Sequence, residues 1–159
     1  MKLEKTNAMR LLDAAHLQYE VKEYPHNNEA LDGVSVARLL EQDPEQVFKT
    51  LVTVSNKKEY FVFMVPVKEE LDLKKAAKLV HAKSIDMIPV KEIPKVTGYI
   101  RGSTCPLAMK KKYPTFIHET AILYDTIMFS GGKLGYQILM NPEELMNLEQ
   151  IEAYDIIKS

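Results

Sequence analysis

The residues of this chain best suited to chemistry are a lysine inside an apolar run and two glycine-containing segments far from it in sequence. Lys49 stands among Phe48, Thr50, Leu51 and Val52 at the start of a predicted strand. An ammonium there must reach solvent or meet an anion. It is either a snorkelling strand-end lysine or a fixed cation for a phosphate or a developing oxyanion. The stretch Phe129-Ser130-Gly131-Gly132-Lys133-Leu134-Gly135-Tyr136-Gln137 holds three of the chain's six glycines. Glycine there permits close backbone approach, so the stretch reads as a binding loop between strands with amide N–H groups free to face a ligand. It is not a nucleotide P-loop, because Leu134 follows the lysine where Ser or Thr is required and the next run is strand-like. Ser130 lacks the Gly-x-Ser-x-Gly setting of a hydrolase nucleophile.

The segment Thr97–Pro106 adds Gly98, Tyr99, Arg101, Gly102, Ser103 and the only cysteine, Cys105. As a nucleophile Cys105 would need a nearby base and a lowered pKa. Otherwise a lone loop cysteine is a small packing residue. Lys110-Lys111-Lys112 is a solvated charge run or a weak contact to an RNA end. Tyr24 and Tyr99 abut loops and read as core aromatics with their hydroxyls at the surface. His16, His26, His81 and His118 show no metal-binding spacing, so neither a metal nor another cofactor is expected.

These groups need elements to position them. Ala8, Leu11, Leu12 and Ala15 predict an amphipathic helix from Thr6 to Ala15, followed by a half-buried strand through Leu17, Tyr19 and Val21 to Tyr24-Pro25. After a polar loop, His26 to Gly33, a short helix is predicted around Val36, Leu39 and Leu40. Asp43-Pro44-Glu45-Gln46 is a capped turn. It leads into a hairpin of Val47–Val54 and Glu59–Val65 placed in mid-sheet. A helix capped by Asp72, a strand at Ile85–Ile88 and a short helix Val90–Thr97 closed by Gly98 come next. Thr115–His118, Thr126–Ser130 and Tyr136–Met140 are further strands, and Asn141-Pro142 starts a helical turn before a last mixed run, Ile151–Ile157.

At 159 residues, 46% hydrophobic and 27% charged, the chain predicts one α/β domain over residues 1–159. No run is apolar and long enough for a membrane span, and the N-terminus lacks a secretory signal, so a cytoplasmic protein is expected. A net charge of −1 argues against a broad grip on long nucleic acid, DNA included, yet suits contact with a single nucleotide end.

Several motifs occur together: Tyr24-Pro25-His26, Val47-Phe48-Lys49-Thr50-Leu51, Thr97-Gly98-Tyr99 with Gly102 and Pro106, Lys110-Lys111, and Ser130-Gly131-Gly132-Lys133 with Gly135. In this order and spacing the chain resembles the YbaK family of aminoacyl-tRNA deacylases, relatives of the editing insertion of bacterial prolyl-tRNA synthetases. The resemblance implies a compact α/β fold with a curved, mixed, barrel-like β-sheet flanked by short helices. It also implies release of cysteine from Cys-tRNA(Pro), and from Cys-tRNA(Cys), through attack by the substrate's own thiol in a pocket of backbone N–H groups and Lys49. By the same resemblance Lys49, Gly102, Ser130 and Gly132 would be catalytic, while Tyr24, Tyr99, Arg101, Ser103, Gly131, Lys133 and Gln137 would bind substrate. The implied partners are the aminoacyl-tRNA acceptor end and prolyl-tRNA synthetase. Where several members carry a functional Asp, this chain has Gln137, which can hydrogen-bond but brings no negative charge. The alternatives are a deacylase for another small amino acid, such as alanine on tRNA(Pro), a module that binds aminoacyl-tRNA or a synthetase without turnover, and a hydrolase using Cys105.

Overall fold

A computed structural model describes residues 4–27 and 29–159. Among these residues the chain forms α1 (Asn7–Ala14), β1 (Glu20–Glu23), α2 (Gly33–Leu39), β2 (Phe48–Ser55), β3 (Tyr60–Pro66), α3 (Leu73–Leu79), β4 (Ile85–Met87), α4 (Ile93–Thr97), β5 (Thr115–His118), β6 (Ile127–Ser130), β7 (Tyr136–Met140), α5 (Pro142–Glu149) and β8 (Glu152–Tyr154). Short 3-10 turns at Pro44–Gln46, Val90–Glu92 and Glu119–Leu123 connect them.

Side-chain caps define several helix starts. The Thr6 hydroxyl accepts from the Met9 N–H, Asp32 from Ser35, Asp72 from Lys74 and Lys75, and Asn141 from Glu144. Each such cap contributes roughly 1 kcal/mol. Two boundaries differ from the sequence-based expectation. The first strand begins at Glu20 rather than near Leu17. Here His16 takes a left-handed conformation (φ 59°), and the Leu17 N–H returns to the Leu12 carbonyl, so the chain is still closing α1 where alternation suggests a strand. The turn after Asn141 is a helix of eight residues, held by buried Leu145.

Alternation along the strands builds two sheets. One is antiparallel, in the order β1-β7-β6. The other is mixed, in the order β4-β2-β3-β5-β8, with β5 and β8 running parallel to their neighbours. The predicted β2–β3 hairpin lies inside it, and Val62 to Pro66 of β3 are all buried, as a strand covered on both faces must be. A parallel bridge between Val47 and Met128 joins the sheets. The two sheets join there in one curved, barrel-like arrangement that does not close into a barrel.

Two main cores lie on either side. Ala8, Met9 and Leu12 of α1 meet Phe48, Phe129 and Ile138 in the larger one. Ala76 and Ala77 of α3 meet Phe63 and Val65 in the other.

Candidate functional site

The gap between the sheets has a physical cause in β2. The Ser55 N–H donates to Glu59 and the Val67 N–H to Val47, so the odd-numbered residues around β2 turn their backbone groups toward β3. Alternation then points the N–H and C=O of Thr50 to the opposite edge. Strand β4 pairs with that edge only from Thr53 onward, and the Ile88 N–H reaches the Val52 carbonyl. On the other side β6 is bridged to this strand's start at Val47. Between the two, β2 has an open edge, and a cavity of about 390 Å³ lies against it.

Six of the candidate site residues line this cavity: Tyr24, Lys49, Arg101, Gly102, Ser130 and Gln137. Four others, Tyr99, Ser103, Gly132 and Lys133, line a second cavity of about 310 Å³, beside the next residue of the same loop. Gly131 lines neither of these two cavities.

Within the first cavity several polar groups lack protein partners among the described residues, Ser130 being an exception. Lys49 makes no ion pair among the described residues. Burial holds its ammonium below the usual lysine pKa, and Glu70 and Glu69, farther off, oppose that shift. Gln137 lies opposite Ser130 on β6 and Lys22 on β1, on the face of β7 that looks toward α2. It is 6% exposed, and its carboxamide makes no hydrogen bond among the described residues. The Thr50 hydroxyl is sealed from solvent without a partner. The amide N–H of Gly102, at φ 89°, is likewise unused among the described residues. A Cβ on Gly102 would sit 2.6 Å from that of Ala30, so only glycine allows this loop to approach.

The first part of the glycine stretch after β6 behaves in the opposite way: against the expectation of free amides, those of Gly131 and Gly132 are both used. The Ser130 hydroxyl donates to the Ser103 carbonyl (2.8 Å) and accepts from the Gly132 N–H (3.1 Å). The Gly131 N–H donates to Tyr136 and its carbonyl accepts from the Thr6 hydroxyl (2.7 Å). Lys133 is paired with Glu4, and the Tyr99 hydroxyl donates to the Leu107 carbonyl. The stretch is therefore a tied hairpin connection. Its glycines allow the chain to turn, and the hydrogen bonds of Gly131 and Gly132 close the start of that turn.

Cys105 is fully buried, and that burial pushes its thiol up to about 12, so it remains protonated and inaccessible near neutral pH. This removes the basis for a hydrolase using Cys105. Among the described residues no group of three or more His, Cys, Asp or Glu could hold a metal ion. Lys110 to Lys112 are exposed, and the Lys112 ammonium lies 3.4 Å from the side-chain oxygen of Gln150.

Sequence reasoning missed Thr50 and the apolar wall supplied by Val36 of α2 and by Met87, Ile88 and Ile93. Thr50 gave no signal of its own, because a threonine in a strand reads as ordinary β-propensity. The wall residues read as core because each has apolar neighbours at strand or helix spacing.

A family model for the aminoacyl-tRNA editing domain matches residues 28–148. The chain belongs to that family. It is 41% identical over 145 residues to a protein of Enterococcus faecalis named as the Cys-tRNA(Pro)/Cys-tRNA(Cys) deacylase EbsC, covering 91% of this chain and 88% of that one. A crystal structure described as a trans-editing enzyme for prolyl-tRNA synthetase superposes with a TM-score of 0.82 at 25% identity, over 96% of this chain and 93% of the other. A second solved structure, the hypothetical protein APE2540, shares the fold with a TM-score of 0.85 at 17% identity, over 96% of this chain and all of its own. The mixed α/β architecture is thus that of editing domains. No helix of the described residues is long and apolar enough to cross a membrane.

Proposed function

We propose that residues 1–159 act as one trans-editing deacylase domain that hydrolyses Cys-tRNA(Pro), and Cys-tRNA(Cys) as a second substrate, in the cavity at the open edge of β2. The observation that carries this reading is the combination in one cavity of a half-buried lysine without an ion-pair partner and unused backbone donors, in a chain of the editing family. The deacylase to which the chain is 41% identical supports the substrate. The solved trans-editing structure supports prolyl-tRNA synthetase as a partner, and such a role belongs in the cytoplasm.

With Cys105 buried, the chemistry falls to the substrate. Its thiol sulfur attacks the ester carbonyl carbon, and the bond from that carbon to the terminal ribose oxygen breaks. The thiol proton passes to that oxygen, and water later opens the cyclic thioester. Because attacker and ester belong to one molecule, holding them in a reactive geometry supplies much of the acceleration. Lys49 and the Gly102 N–H stabilise the carbonyl oxygen as charge develops. Arg101 faces the nucleotide, and Tyr24 and Gln137 hold the aminoacyl group. Ser130 and Gly132, with Ser103, Gly131, Tyr99 and Lys133 around them, act by fixing the loops that carry the site.

The test is single-turnover deacylation of Cys-tRNA(Pro) by the wild type and by Lys49→Ala, with thermal melts of both. Rapid release by wild type, reduced roughly 100- to 1,000-fold in a variant that still folds, is the expected result. No release by wild type sinks the cysteine assignment. Turnover of Ala-tRNA(Pro) would then identify another editing specificity, and binding without turnover would identify a recognition module.

A further inference from the structure

The charge of the cavity does not match the charge of an aminoacyl group. An aminoacyl-tRNA carries an α-ammonium beside the ester, and a site built to hold that ammonium places a carboxylate against it. Every Asp and Glu of this chain falls among the described residues, and none of them lines the cavity. Its charged lining residues are Lys49 and Arg101, both cations. Glu69 and Glu70 act on Lys49 from outside the cavity, and Glu70 is held by Lys158 at 2.9 Å. The cations suit the phosphate of the terminal nucleotide but oppose an ammonium placed among them.

The polar group on offer at the cavity wall is neutral. Gln137 is more than nine-tenths buried and lines the cavity, and its carboxamide makes no hydrogen bond among the described residues. Its carboxamide atoms are not among the sealed unpartnered ones, so they stay open to whatever occupies the cavity. Its oxygen accepts from the N–H of an amine or of an amide, and its NH2 donates to an acyl oxygen. An N-acylated aminoacyl group offers both partners and has no charge to repel.

Resting on the deacylase reading above, we propose that this cavity is indifferent to the charge of the substrate's α-nitrogen, with Gln137 holding that nitrogen. The protein therefore releases N-acylated aminoacyl groups from tRNA as well as free ones. The bonds made and broken are those of the ordinary reaction, since the α-nitrogen takes no part in the attack. An N-acylcysteinyl ester keeps the thiol that does.

The experiment compares cysteinyl-tRNA(Pro) with N-acetylcysteinyl-tRNA(Pro) under single-turnover conditions with the full chain. Each rate is divided by the spontaneous hydrolysis of the same ester, because a protonated amine activates its own ester in water. The two accelerations are expected to agree within about tenfold. Acceleration of the free ester that exceeds that of the acetylated one by more than this margin overturns the inference and leaves the deacylase reading standing. Failure to accelerate either ester removes both. Acceleration of the acetylated ester alone overturns the stated indifference and displaces free Cys-tRNA(Pro) as the substrate.

The assignment to Gln137 is tested separately. Gln137→Glu is expected to shift the ratio toward the free ester by about tenfold or more, by supplying the missing charge. Gln137→Met, which removes both hydrogen-bonding functions at similar size, should slow the two esters alike. Melts establish that each variant folds. If the ratio stays at its wild-type value in folded Gln137→Glu, or if Gln137→Met leaves both rates unchanged, Gln137 does not hold the nitrogen.

Discussion

Two neighbouring regions carry most of the polar residues singled out by the sequence, and they treat them oppositely. Around the start of the glycine stretch after β6 the donors find acceptors: Ser130 with Ser103, Gly132 with Ser130, Thr6 with Gly131, Lys133 with Glu4. Along the open edge of β2, Lys49 has no ion pair, the Thr50 hydroxyl has no acceptor, and Gln137 has no partner among the described residues. Buried polar groups are normally paired, so a cluster of unpaired ones beside a cavity is a group of sites held for a ligand. The first region is a scaffold and the second is the place where binding energy is still to be gained. Residue type alone would have ranked them the other way, since glycine, serine and lysine in a loop look more like a ligand cradle than a strand edge does.

The contrast can be broken at its strongest point by Ser130→Ala. This change leaves the Ser103 carbonyl and the Gly132 N–H without their partner, and is expected to lower unfolding free energy by about 1–3 kcal/mol. Deacylation should fall with it, because the Gly102 loop is no longer held. Urea unfolding alongside single-turnover rates reads both effects. Lost activity at unchanged stability would mean that Ser130 meets the substrate directly, and the division into scaffold and site would fail.

Thr50→Val sharpens the same contrast with a smaller effect. The hydroxyl already lacks a partner, so replacing it by a methyl should leave stability unchanged or raise it by up to about 1 kcal/mol. Deacylation should stay within about 2-fold of wild type, because a hydroxyl sealed from solvent makes no bond to the ligand. A loss of stability above about 1 kcal/mol would place the hydroxyl among the paired groups of the scaffold.

The smallest effect concerns a histidine remote from both regions. His118 is buried, and its Nδ1 accepts from the Ile156 N–H at 3.3 Å. Burial lowers its pKa; Asp155, Glu119 and Glu69 oppose this, while Lys75 adds to it. The unfolded chain therefore binds the proton more readily than the folded one. The resulting stability is fully present above the ordinary value of about 6.5 and is lost as pH falls through the lowered folded value. Melts between neutral and mildly acidic pH should show this decline. His118→Asn, which keeps an acceptor near the Nδ1 position but does not titrate, should flatten it. An equal decline in that variant would assign the acid sensitivity elsewhere.

Local pattern determined much of this molecule. The Thr6, Asp32, Asp72 and Asn141 caps each satisfy the first amides of a helix within a few residues, and the β2–β3 hairpin follows from two β-rich runs separated by four polar residues. Such features depend on neighbours in sequence, so composition and spacing suffice to place them. The ordered motifs around Lys49, Gly102 and Ser130 sufficed in the same way for the family.

What the tertiary structure alone decided is which polar groups remain unpaired. The Gly131 and Gly132 amides are closed by Tyr136 and Ser130, while the Thr50 backbone is left open because β4 joins β2 only from Thr53 and the bridge to β6 is at Val47. Whether a donor is used depends on partners that are tens of residues away and on the register that brings them together. A one-residue shift in that register would turn every side chain of a strand to the other face. The cavity and its excess of positive charge arise from that long-range pairing.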